Sequence, residues 1–116
     1  MSIEAADREA GAIAVAPRVS LESMERKITA RYDLSGTDLT NAISVPTVAE
    51  IALFSLCILV MENGFILVGK SAPASPENYN AELGRKFAYE DCIRQLWPLE
   101  GYLLRDHLSR LGAQKA

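Results

Sequence analysis

The chain is poor in the side chains that build metal centres and nucleophilic sites. Its 116 residues hold one histidine, His107, and two cysteines, Cys57 and Cys92. Two thiols far apart in sequence make no disulfide framework, and with a single imidazole they make no zinc set. Both sit in apolar stretches, which predicts buried, reduced thiols and a cytoplasmic address. Long apolar runs are missing too. The most apolar segment, residues 51–61, is about half the ~20 residues that a membrane-spanning helix needs. The start, MSIEAADREAG, is acidic where a secretory signal would be basic. Positive charge is in deficit: the net charge of −3 opposes a protein that coats DNA or RNA, because phosphate neutralisation needs surplus Lys and Arg.

Motifs for chemistry are equally sparse. The glycines are scattered singly, so no loop cradles a phosphate. No nucleophile elbow is present, and His107, beside Asp106, reads as a solvated histidine. Glu90 and Asp91 are adjacent, and neighbours on a helix point to different faces, so they cannot share a substrate. Asp91 fits a cap, a partner for Trp97 Nε1 or an interface residue better than a catalytic acid. The expectation is therefore no catalytic residue, no metal and no cofactor.

What remains is a single α+β domain over residues 19–116, preceded by a flexible, Ala-rich N-terminal tail over 1–18. Ser20 is the N-cap of a helix predicted over about 20–32, with Leu21, Met24, Ile28 and Tyr32 on one face. Residues 33–46, rich in Ser, Thr, Asp, Asn and Gly, predict a loop. Residues 52–61 and 65–70 are apolar runs joined through Asn63-Gly64, the signal of an antiparallel hairpin with a type I′ turn. The first strand is apolar on both faces: Phe54, Leu56, Ile58 and Val60 on one, Cys57, Leu59 and Met61 on the other. Such a strand requires cover on both sides, from helices of its own chain or from a second subunit. Two C-terminal helices packed on the sheet are expected. One is capped by Ser75 or Asn78 and runs to Trp97, where Pro98 breaks or kinks it; the next spans residues 98–111 and stops at Gly112.

A binding role suits these residues better than catalysis. The start of the first C-terminal helix offers unpaired amides and a positive dipole end. Around it lie Asn78 and Asn80, Arg85 two turns along, and Tyr79 as a stacking face. Tyr102 and Arg105 belong to the same group if the last helix folds back. Against this stands a plain solvated face, since Glu82, Arg85, Lys86, Glu90 and Arg94 share one half of the helical wheel.

The stretch from residue 63 to residue 105 resembles a family of small tailed-bacteriophage and prophage proteins. The resemblance rests on Asn63-Gly64-Phe65, Gly69, Ser71-Ala72, Pro76, Asn78, Glu82-x-Gly84-Arg85-Lys86 with Ala88, and the run WPLEGYLL from Trp97 to Leu104. Pro73 departs from a frequent Cys of that family, and Asn80 from a frequent Asp. The family is similar to the Thoeris anti-defence proteins of the first type, which capture a cyclic ADP-ribose signal. The resemblance implies a homo-oligomer that sequesters a small nucleotide signal without turnover. Asn78, Asn80, Arg85 and Arg105 are then the polar contacts, with Tyr79 and Tyr102 as the stacking groups. A protein-interaction module that binds a host factor, or a small nucleotide hydrolase, are the competing expectations.

Overall fold

Three antiparallel strands in the order β1-β2-β3 form the centre of the protein in a computed structural model that describes residues 2–115. They are β1 (Ile28–Ser35), β2 (Ser55–Met61) and β3 (Ile66–Ser71). The helices are α1 (Ile3–Ile13), α2 (Leu21–Glu25), α3 (Gly36–Ala42) and α4 (Ala81–Lys115), with short 3-10 turns at Ile51–Leu53 and Pro76–Asn78. The α+β class expected from the sequence is the class observed. Among the described residues, no helix is long and apolar enough to cross a membrane.

The hairpin falls where Asn63-Gly64 places it, but in a different turn. Within the turn only Gly64 has positive φ, at 88°, whereas type I′ needs it at two positions. Gly64 N–H donates to Met61 O (2.9 Å), Met61 N–H donates to Phe65 O (2.9 Å), and Asn63 Oδ1 accepts from Phe65 N (3.0 Å). This is the three-residue hairpin in which a left-handed glycine forms a bulge.

Both faces of β2 carry the apolar sets expected of them. Cys57, Leu59 and Met61 are buried, and with Met24, Leu67, Ala88, Cys92, Ile93 and Leu96 they make the core beneath α4. The approach is close at Gly69, where a Cβ would lie 2.1 Å from Ala88 O and 2.7 Å from Cys92 Sγ. Among the described residues, no helix covers the opposite face. Register places Ala30, Tyr32 and Leu34, Leu56, Ile58 and Val60, and Ile66 and Val68 together there. Tyr32 is 56%, Ile66 58% and Val68 51% exposed.

Three further expectations need correction. The predicted helix over 20–32 is α2, a single capped turn (Ser20 Oγ accepting from Ser23 N, 3.1 Å), followed by strand β1. Met24 and Ile28 do both face the core, but from two different elements. The central strand gains a partner that local periodicity cannot reveal. The loop predicted from 33 contains α3, started by a reciprocal cap: Ser35 Oγ accepts from Asp38 N, and Asp38 Oδ2 accepts from Ser35 N. Residues 1–18 contain α1. Asp7 of that helix pairs with Arg18 at 3.0 Å and accepts Leu21 N–H at 3.0 Å, tying α1 to the start of α2.

Finally, the two C-terminal helices are one. α4 runs 35 residues with Pro98 inside it, about 52 Å at the usual rise. Pro98 and Arg94 are both on the exposed side. The backbone hydrogen bond that proline forfeits is therefore lost where water can solvate the Arg94 carbonyl. Beyond the sheet the helix projects as an arm, and the molecule measures 62 × 29 × 18 Å.

Candidate functional site

The chain leaves β3 through Ser71-Ala72-Pro73 and turns at Pro76–Asn78, with Ser75 in extended backbone before the proline. Tyr79 follows, also extended, and Asn80 starts α4: its Oδ1 accepts from Leu83 N (3.1 Å), and its carbonyl accepts from Gly84 N (2.8 Å). Asn80 is thus the N-cap, instead of Ser75 or Asn78, because Pro76 opens only a 3-10 turn. Gly84 allows the helix to seat here, since a Cβ at that position would lie 2.4 Å from Ser55 Oγ.

This junction encloses an open cleft of about 300 Å³ lined by Ser71, Ala72, Pro73, Asn78, Tyr79, Asn80, Leu83, Gly84 and Phe87. Three of the expected site residues, Asn78, Tyr79 and Asn80, therefore meet at one place. Tyr79 also borders a smaller recess of about 60 Å³, which it shares with Arg85, Asp33, Asp38 and Ser55. Arg85 lines this recess and not the main cleft, and Tyr79 borders both. The Ser35 backbone N–H and hydroxyl, hydrogen-bonded to Asp38, hold its carboxyl below the ordinary aspartate value. It stays anionic beside Arg85.

Tyr102 and Arg105 are elsewhere. Because α4 does not fold back, they lie about 25–30 Å along the axis from Arg85. Tyr102 lines an apolar cleft of about 360 Å³ with Lys27, Phe65, Leu96, Leu99 and Leu103, between the hairpin turn and the arm. Arg105 is exposed on the arm. Phe87 is the cleft residue that sequence reasoning missed. Its position four after Leu83 puts both on the apolar half of the helix, yet both are 47% exposed. Gly84, beside Leu83 on the same surface, is the signal that the helix is recessed there.

The buried thiols are not part of this site. Burial, then the neighbouring Cys57 thiol and the Asp91 charge, push the Cys92 thiol up to about 12. Burial likewise raises Cys57. Cys92 Sγ donates to Cys57 O at 3.4 Å, which makes the pair part of the core. No cluster of three or more His, Cys, Asp or Glu suited to a metal ion exists among the described residues.

The sequence model of the family described as "Phage protein (N4 Gp49/phage Sf6 gene 66) family" matches residues 22–108, from α2 well into the arm of α4. No curated protein and no solved structure matches the chain. The chain belongs to that phage protein family.

Proposed function

Starting from membership of this phage family, we propose that the protein is an anti-defence sponge. It captures a small cyclic nucleotide signal of the cyclic ADP-ribose type in the cleft at the head of α4, without turnover, in the host cytoplasm. The observation that carries this reading is the convergence of Asn78, Tyr79 and Asn80 with Phe87 around one cleft at the positive end of a long helix. Tyr79 and Phe87 offer faces for a base, and the amide groups of Asn78 and Asn80 suit ribose or base edges. Arg85, in the recess that Tyr79 also borders, supplies the cation for a phosphate. At about 300 Å³ the cleft is at the small end of ligand pockets, so a nucleoside half would fill it and the remainder would spread toward Arg85. The ligand class comes from the resemblance, read in the sequence, to Thoeris anti-defence proteins of the first type. Absence of turnover is favoured by the raised Cys57 and Cys92 thiols, which are poor nucleophiles. It is also favoured by the position of His107 on the distant arm.

The test is incubation with cyclic ADP-ribose isomers, removal of free ligand, then heating. Intact ligand recovered near one per site, with a thermal shift beforehand, supports the proposal. Absence of both sinks it, and ligand returned chemically altered replaces it with a hydrolase.

A second reading, a module that binds a host factor, is favoured by the uncovered apolar sheet face of Leu56, Ile58, Val60, Ile66 and Val68. One stoichiometric partner retrieved from host lysate, and lost in a Val68→Lys variant, would favour it.

A further inference from the structure

The two edges of the sheet are treated differently by the fold. Hydrogen bonds from Met61 N to Phe65 O and from Gly36 N to Phe54 O set the phase of both ladders. With antiparallel alternation, Ile66, Val68 and Lys70 turn their backbone groups away from β2 on one side, and Arg31 and Asp33 turn theirs away on the other. The β3 edge is closed by α4: Asp91 Oδ2 accepts Lys70 N–H at 2.9 Å, and Gln95 Nε2 donates to Val68 O at 2.8 Å. The β1 edge carries no such cover, and no other strand pairs with it among the described residues.

We propose that the β1 edge is a pairing site for β1 of a second copy of this chain, in an antiparallel register centred on Tyr32. That register follows from the strand itself. Arg31 and Asp33 are the outward-bonding positions, so a two-fold axis between the two Tyr32 residues sets Arg31 of each copy opposite Asp33 of the other. These two pairs are then hydrogen-bonded ones, making four backbone hydrogen bonds, and the Tyr32 pair between them is a close, non-hydrogen-bonded one. Charged residues on an edge strand commonly discourage pairing. Opposite signs two residues apart do the reverse here, because antiparallel self-pairing makes them complementary. Within one chain Arg31 Nε already bonds Asp33 Oδ2 at 3.0 Å, and its guanidinium lies 4.2 Å from the Tyr89 ring centroid, so both charges are held in place. On the other face, the same register brings Tyr32 against Tyr32 and Ala30 against Leu34. It fuses two uncovered apolar faces into one six-stranded surface. Main-chain hydrogen bonds supply the affinity of such an edge, and the side-chain pairs supply its register.

Light scattering on the full chain, with circular dichroism to confirm folding, tests the assignment. Wild type is expected at twice the chain mass. Asp33→Arg, which opposes like charges, is expected to weaken the dimer by about tenfold or more. Adding Arg31→Asp to that variant is expected to restore the dimer, since complementarity returns with both signs exchanged. A wild type that stays monomeric, or a dimer indifferent to Asp33→Arg, overturns the proposal. Tyr32→Cys gives an independent readout: the short separation of the non-hydrogen-bonded pair fits a disulfide. Mild oxidation is expected to yield a covalent dimer, while Ser109→Cys on the arm yields no covalent dimer. A dimer that Tyr32→Cys fails to trap but Val68→Cys traps is joined through its sheet faces instead, and that result also overturns the edge assignment.

Discussion

Asp91 on α4 accepts the backbone N–H of Lys70 on β3 at 2.9 Å, and so ties the long helix to the outer edge of the sheet. Gln95 Nε2 lies 3.4 Å from the same carboxylate oxygen and bonds Val68 O, so one turn of α4 serves as the missing neighbour of the strand. A carboxylate in an apolar-looking stretch of helix thus has a structural role.

Its removal has two expected consequences. Asp91→Ala lowers stability by about 1 kcal/mol, the usual worth of one such hydrogen bond, in urea unfolding. It also exposes the β3 edge, so turbidity on heating begins at a lower temperature than for wild type. Asp91→Asn, which keeps an acceptor oxygen, retains most of both properties.

Gly69 and Gly101 make opposite predictions. A Cβ at Gly69 would sit 2.1 Å from the Ala88 carbonyl, which belongs to the α4 backbone, so Gly69→Ala must lift the helix off the sheet. Overpacking of this kind costs about 1–3 kcal/mol. Gly101 lies inside α4 with nothing within 4 Å of a built Cβ. Gly101→Ala is expected to stabilise by about 0.5–1 kcal/mol, because glycine weakens a helix interior. Parallel urea titrations of the two variants should displace the midpoint in opposite directions.

Acid should loosen the N-terminal helix. Burial opposes the charge on Asp7, but the Leu21 N–H and the Arg18 guanidinium outweigh it and hold the carboxyl below its ordinary value. A depressed folded value means that the contribution is complete above the unfolded value of about 3.9 and disappears as pH falls through the folded one. Wild type should therefore lose more stability between about pH 5 and 2 than Asp7→Asn, which has no carboxylate to protonate. Asp38, lowered by its bonds to Ser35, adds an acid-sensitive part that Asp7→Asn leaves intact. Equal acid slopes for the two proteins would show that Asp7 does not couple α1 to α2.

Which parts were legible depends on how far apart the interacting residues lie. The Asn63-Gly64 turn, the Ser20 cap and the two-faced apolar pattern of β2 are local signals, and each marks a real element. Strand β1 was hidden because Leu21, Met24, Ile28 and Tyr32 satisfy helical spacing, although Tyr32 ends on the uncovered face, away from the core. Helix α3 was hidden in loop-like composition, although Ser35 and Asp38 form a reciprocal cap. Pro98 suggested a break that its exposed setting does not enforce. That single difference separates Tyr102 and Arg105 from the cleft, while Asn78, Tyr79 and Asn80, adjacent in sequence, stay together.

The same division gives the sharpest expectation for ligand binding. If the cleft at the head of α4 holds the nucleotide, Tyr79→Ala and Phe87→Ala remove its aromatic surfaces. Each is expected to weaken binding by about tenfold or more, since base stacking on an aromatic is worth about 1–3 kcal/mol. Arg85→Glu should act more strongly on phosphorylated ligands than on a nucleoside, because it reverses charge without touching the aromatic faces. Tyr102→Ala and Arg105→Ala, on the distant arm, should leave affinity unchanged. Calorimetry with a cyclic ADP-ribose isomer and with a nucleoside separates these effects. Loss of binding in the arm variants, with the cleft variants unaffected, would move the site to the apolar recess beside Phe65 and Leu103.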